Sequence, residues 1–253
     1  EVPHIRFMRE VTIGGKNADD WPAEWQDVID VMVELGLPRS CQSLVFDCGG
    51  YWDISSTHLG TIENLYPRLE SLRKLRIRMG GMTFGSSMNL PKLESLQIET
   101  GGLRAENIKS IVDSPWPRLR QLMLCIGESN NDYGCDVELE HLTPIFEAQG
   151  LSNVKHLGLR NTNLADDLPE QLASSKILPQ LETLDLSLGT FGDAGARAIL
   201  DRADSFKHLK RINLTHHYVS PALQLELAKL GPDFDFSDAE EAEDDDRYVQ
   251  ISE

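Results

Sequence analysis

The sequence predicts an α/β solenoid, a curved stack of repeats with a parallel β-sheet on its concave face and helices on its convex face. Three observations predict it. One apolar phrase recurs along most of the chain, its recurrences are nearly evenly spaced, and helix-patterned stretches separate them.

The phrase is L-x-x-L-x-L with tolerated substitutions. It appears as "CQSLVF" from Cys41, "LRKLRI" from Leu72, "LESLQI" from Leu93 and "LRQLML" from Leu119. It continues as "VKHLGL" from Val154, "LETLDL" from Leu181 and "LKRINL" from Leu209. The starts lie 31, 21, 26, 35, 27 and 28 residues apart. These spacings fall within or near the period of leucine-rich repeats, with an insertion where the gap is 35. About seven repeats are therefore expected. Repeat positions one, four and six turn inward, while two, three, five and seven decorate the concave sheet. No single unit can bury its own apolar face, so stacking them forms one continuous core.

Position nine of such repeats is normally Asn or Cys, bonding the turn. Here it is Gly49, Gly80, Gly101, Gly127 and Gly189 in five repeats, with Thr162 and His217 in the others. Glycine permits a tight turn but offers no side-chain hydrogen bond, so other groups must satisfy the backbone.

Between the strands, residues 105–113, 139–149, 168–177, 192–203 and 220–230 carry apolar side chains at helical spacing. Pro91, Pro117 and Pro179 stand two residues before a repeat start, ending what precedes and directing the chain into the strand. The 21-residue repeat has room only for a turn near residues 84–89. "PAEWQDVIDVMVELG" reads as an amphipathic capping helix. The organisation expected is an N-terminal cap over 1–40, the solenoid over 41–232 and an acidic tail over 233–253.

Composition narrows the function. The net charge is −17, about 40% of residues are apolar, and no apolar run is long enough to span a membrane. The chain begins at Glu1 rather than Met, so upstream residues are expected. Cys41, Cys48, Cys125 and Cys135 are too scattered for a disulfide framework, though the last two could meet across a loop. A reducing cytoplasm fits them. No phosphate loop, dinucleotide-binding glycine pattern or nucleophile elbow occurs. His216 and His217 are neighbours on an extended segment and point apart, a poor chelating pair. Glu128, Asp132 and Asp136 lack the order of ligands of an EF-hand. No catalytic residue, metal or cofactor is assigned.

The charge is unevenly spread. The concave positions hold nine cations, Arg73, Lys74, Arg76, Arg78, Arg120, Lys155, Arg160, Lys210 and Arg211. Five anions oppose them, Asp47, Glu94, Glu99, Glu182 and Asp185, leaving about +4. The stretch 233–246 alone carries nine carboxylates. "LRKLRIR" is the peak of that polarity. Ordinary solvated strands carry mixed charge that discourages edge-to-edge association. The alternative is a positive concavity that meets an acidic protein surface or a phosphate-bearing ligand, with Arg73, Lys74, Arg76, Arg78, Arg120, His156, Arg160 and Arg211 as contacts. Concave aromatics are missing and the whole chain repels phosphate, so direct nucleic-acid binding is not expected. The tail is long enough to reach its own basic face and compete there, or to remain a solvated run.

Several phrases carry a resemblance over roughly the last 160 residues: "LESLQIETGGL", "KHLGLRNTNLADDL", "LETLDLSLGTFGDAGA", "INLTHHYVS" and the ending "DRYVQISE". Together they resemble a family of bacterial leucine-rich-repeat proteins, solenoids of the ribonuclease-inhibitor type. The resemblance implies that fold and a bacterial cytoplasmic setting, and it implies no catalytic activity and no functional residues. The expected function is non-catalytic recognition of a partner protein through the concave face, as an inhibitor or immunity protein. The other class kept open is an accessory subunit or substrate-holding scaffold of an enzyme complex. Oligomeric state is not legible.

Overall fold

The computed structural model describes residues 7–15, 23–49, 54–129, 134–242 and 246–251. Nine strands form one sheet: β1 (Glu10–Gly14), β2 (Ser43–Asp47), β3 (Lys74–Arg78), β4 (Ser95–Glu99), β5 (Gln121–Gly127), β6 (His156–Thr162), β7 (Thr183–Asp185), β8 (Arg211–Asn213) and β9 (Asp233–Asp235). Each pairs in parallel with the strand before it in sequence, so the order across the sheet is the order along the chain. That is the topology of a solenoid, and the α/β architecture agrees with the expectation.

The sheet is wider than seven strands, and both additions sit at its ends. β1 lies in the stretch read as a cap, and β9 lies at the start of the stretch read as a tail. Neither carries the repeat phrase. "EVTIG" alternates polar with apolar residues, and "DFD" supplies one inward side chain, Phe234. An end strand is covered on one flank only, so it can be specified with fewer leucines.

The core follows from register. Leu44, Leu75, Leu96, Leu122, Leu157, Leu184 and Ile212 stand opposite one another on successive strands, each no more than 1% exposed. Phe46, Ile77, Ile98, Leu124 and Leu159 form a second row, also buried. Burying one such side chain contributes about 1.5–3 kcal/mol, so these rows dominate the stability of the stack.

Seven helices lie between the strands: α1 (Gln26–Leu35), α2 (Ala105–Val112), α3 (Thr143–Phe146), α4 (Leu168–Ala173), α5 (Asp193–Asp201), α6 (Ala203–Phe206) and α7 (Pro221–Leu227). α1 bridges β1 and β2, and it buries Ile29 and Met32 against the stack. The shortest repeat has no helix between β3 and β4. Phe84 and Met88 fill the convex layer there, and the buried Asn107 of α2 ties it down. The Asn107 amide donates to the Met82 carbonyl (3.0 Å) and accepts from Phe84 N–H (3.2 Å).

None of the described C-terminal residues bonds the arginines of β3. Instead 246–251 dock on the loops beyond β6, β7 and β8. Arg247 donates to Asp166 Oδ2 (2.8 Å) and to the Thr190 carbonyl (2.6 Å). Tyr248 exchanges backbone hydrogen bonds with the Tyr218 hydroxyl (3.0 and 3.1 Å), and Val249 is buried. Gln250 N–H donates to the Leu188 carbonyl (2.9 Å). Asn161 then grips the backbone of Ile251, accepting from its N–H and donating to its carbonyl, both at 2.7 Å. Residues 243–245, part of the acidic run, lie outside the described residues.

Candidate interface on the concave face

The strand register sorts the concave side chains into rows. Positions five and seven form the centre, and positions two and three form the rim at the entry ends of the strands. Of the expected contacts, Arg76, Arg78 and Arg160 stand in the centre, whereas Arg73, Lys74, Arg120, His156 and Arg211 stand on the rim. They do not make one basic patch.

In the centre every cation is held by a carboxylate from a neighbouring strand. Arg76 binds Glu99 (3.0 Å) and Arg78 binds Asp47 (3.2 Å), with Glu99 also 3.9 Å from Arg78. Arg160 lies 3.6 Å from Asp185 and donates to the Ser187 hydroxyl (3.3 Å). From β2 to β8 three cations thus oppose three anions, and the centre of those strands is neutral, with Asp235 of the end strand β9 standing in the same row. The hydrogen bond that Arg76 donates to Glu99 raises the Arg76 pKa further above its ordinary value, so its charge is permanent. Within "LRKLRIR" the three arginines are taken up by partners from neighbouring repeats, Arg78 by Asp47 directly opposite and Arg76 by Glu99 on the diagonal, with Arg73 held by Glu94, and Lys74 alone is left over. Alone, such half-exposed pairs contribute roughly 0–1 kcal/mol each. Their larger effect is to fix side chains in place.

Between the two ion-pair groups lies an uncharged saddle of Gln97, Met123 and Gly158, opposite one another in the central row. A Cβ on Gly158 would lie 2.6 Å from the Met123 methyl and 3.2 Å from Arg160 Cδ, so glycine is what lets both side chains lie flat there. Cys125 is fully buried beside the saddle, and burial pushes its thiol up to about 12, leaving it unreactive. All four cysteines are buried and no disulfide forms, so Cys125 and Cys135 are not joined.

The rim is different. Arg73 pairs with Glu94 (2.8 Å), Lys210 with Glu182 (2.6 Å) and Arg211 with Asp235 (2.5 Å). Asp235 was absent from the sequence-level count because β9 was not foreseen. Lys74, Arg120 and Lys155 have no carboxylate within 4.0 Å among the described residues. Lys155 donates to the Gln180 carbonyl (3.1 Å), and His156 meets the Thr183 hydroxyl (2.9 Å).

Elsewhere the weighed candidates are absorbed by structure. Asp136 accepts from Ala105 N–H (2.6 Å) at the start of α2, and Asp132 lies outside the described residues. His217 is completely buried, accepting at Nδ1 from Val219 N–H (3.0 Å) and donating from Nε2 to the Phe236 carbonyl (3.2 Å). It therefore bonds the turn, as position nine requires. Its neighbour His216 bonds the Tyr248 carbonyl (3.2 Å) and lies 3.4 Å from Glu240. A groove of about 700 Å³ runs between Tyr218, Pro221 and residues 239–242, lined by ion-paired Asp166, Asp193, Arg197 and Arg247. Among the described residues no three His, Cys, Asp or Glu side chains converge as a metal site, and no helix is long and apolar enough to cross a membrane.

Burial lowers the His217 pKa, with the nearby His216 adding to the effect. The unfolded chain therefore takes up a proton near pH 6.5 that the folded chain refuses. The stabilising contribution is complete above that pH and is lost as pH falls below it, by no more than about 1.4 kcal/mol per unit for one proton. Melting temperatures recorded from pH 7.5 to 5.5 are expected to fall more steeply for the native chain than for His217→Asn. Parallel slopes would remove His217 from that account.

No protein-family model and no curated protein matches this sequence. Among solved structures, an internalin from Listeria monocytogenes matches at 12% identity and a TM-score of 0.44, over 81% of this chain and 57% of that one. A protein from Bacteroides fragilis matches far more closely, at 29% identity and a TM-score of 0.86, over 99% of this chain and 71% of that one. With its recurring phrase, its consecutive parallel strands and its buried leucine rows, the chain is a leucine-rich-repeat solenoid of the α/β class.

Proposed function

We propose that the protein is a non-catalytic recognition module that binds another protein through its concave face, acting as an inhibitor or immunity protein in a bacterial cytoplasm. One observation carries this reading: the face is broad and the charged side chains at its centre are already fixed. Nine strands about 4.8 Å apart make a sheet roughly 38 Å across, and a strand length averaging about five residues gives it a height of about 16 Å. The product, about 600 Å², approaches the roughly 800 Å² that each partner of a stable complex contributes, before any loop is counted. Ion pairs hold Arg76, Arg78 and Arg160 in place, so little side-chain entropy remains to be lost on binding. Four buried cysteines with no disulfide between them agree with a reducing compartment.

The test is affinity capture from a bacterial lysate with the full chain, beside a Gln97→Trp variant that places bulk on the uncharged saddle and alters no charge. The partner is expected to be lost from the variant while its circular dichroism is unchanged. Retention of the partner would remove the concave face from the interaction. Adding the protein to the purified partner then separates two roles. Loss of the partner's activity marks an inhibitor, and a stoichiometric complex of undiminished activity marks a subunit.

A further inference from the structure

All of the +4 expected for the concave face resides on its rim. The central rows of β2 to β8 are neutral, with Asp47, Glu99 and Asp185 against Arg76, Arg78 and Arg160. The rim rows of those strands carry six cations, Arg73, Lys74, Arg120, Lys155, Lys210 and Arg211, against Glu94 and Glu182. Three of those six are already paired, which leaves Lys74, Arg120 and Lys155.

Arg120 and Lys155 are adjacent across the ladder, and Lys155 N–H bonds the Arg120 carbonyl at 2.8 Å. Like charges side by side on neighbouring strands disfavour the free protein. Apart from Lys74, every other cation on this face has a carboxylate within 4.0 Å. These two are flanked by Glu94 and Glu182, which are turned toward Arg73 and Lys210. The concave face thus keeps its unneutralised cations at the entry ends of β3 to β6.

We infer that this rim, centred on Arg120 and Lys155 and reaching Lys74, is where an acidic segment of a partner protein docks. The inference rests on the concave-face reading and names its chemistry. Lys74 and Lys155 are three strands apart, about 14 Å, a span that four or five extended residues cover. Aspartate or glutamate at alternate positions of such a segment would meet the three cations in turn. The overall charge of −17 does not oppose this at contact, because charges farther than about 8 Å are screened at physiological ionic strength. The contact is accordingly local and salt-sensitive.

The experiment uses the full chain, labelled with ¹⁵N, and a fluorescent oligoglutamate peptide of about ten residues as the probe. Anisotropy gives affinity at about 50 mM and about 150 mM salt, and amide shifts give location. Reversing Lys74, Arg120 and Lys155 to Glu is expected to weaken the peptide by about tenfold or more at low salt. Reversing Lys109, Lys176 and Lys207, exposed cations away from the concave rows, makes the same change in net charge and is expected to cost less than about twofold. Equal losses in the two triple variants would show a diffuse charge effect and overturn the rim. Shifts confined to Arg76, Arg78 and Arg160 would move the contact to the centre, overturning the rim while sparing concave-face recognition. No binding of the peptide overturns the acidic chemistry alone, since the Gln97→Trp capture tests the parent reading separately. Tighter binding of a single-stranded oligonucleotide of equal charge at the same residues would assign the rim to nucleic acid instead.

Discussion

Gly127→Ala is expected to lower the melting temperature by roughly 6–12 °C, the equivalent of about 3 kcal/mol for a chain of this size. Two separate causes combine. Gly127 has a φ of +97°, a conformation that side-chain-bearing residues rarely adopt. A Cβ there would also lie 2.2 Å from the Gly101 carbonyl oxygen and 3.0 Å from Gly102 Cα, both backbone atoms of the preceding repeat. Flexible side chains can swing aside, but backbone in a stacked ladder cannot move without shifting β4 against β5. Gly36→Ala serves as the reference, because Gly36 has a φ of +72° with nothing near its would-be Cβ. Differential scanning calorimetry of the two variants isolates the contribution of the close approach. Equal decreases would show that conformation alone accounts for the glycine.

The second large effect is expected at Asn161. The residue is fully buried with a φ of +52°, and both of its amide atoms bind the Ile251 backbone. Asn161→Ala loses two buried hydrogen bonds, leaves Ile251 unsatisfied and strains the backbone, so about 3 kcal/mol is expected. A packing role elsewhere in the repeat would produce a similar number, and a double-mutant cycle separates the two. If Asn161 acts by holding the C-terminal segment, deleting 247–253 and adding Asn161→Ala should cost about 1–2 kcal/mol less than the sum of the separate losses, read by urea denaturation. Strict additivity would mean that Asn161 and the segment stabilise the fold independently.

Much of this was visible in the sequence, and the exceptions share a physical origin. Leu72, Leu75 and Ile77 announce β3 because repeat leucines must point inward wherever a strand has neighbours on both flanks. β1 and β9 lack that constraint and escaped the pattern. Helices α2, α5 and α7 were legible from periodicity, and the helix-free repeat between β3 and β4 from its length. The rows of the concave face were legible too, since position fixes which side a residue takes. What position does not fix is which neighbours meet. The pairing of Arg78 with Asp47 spans 31 residues and that of Arg76 with Glu99 spans 23, so the central arginines of a basic cluster became neutral pairs while Lys74 stayed charged. Lys155 was counted among the face's charges but not singled out, because its isolation is defined by what Glu182 and Glu94 bind instead.

The grip of Asn161 on Ile251 alters how the solenoid comes apart. Stacked repeats ordinarily open from either end, one unit after another, because each touches only its neighbours. Here a bond between residues 90 positions apart ties the last strands into a closed ring. β7, β8 and β9 cannot peel away singly while that knot holds. The two ends of the molecule therefore differ mechanically: the β1 end yields in small steps, and the β9 end resists until its fastening breaks and then releases several repeats together.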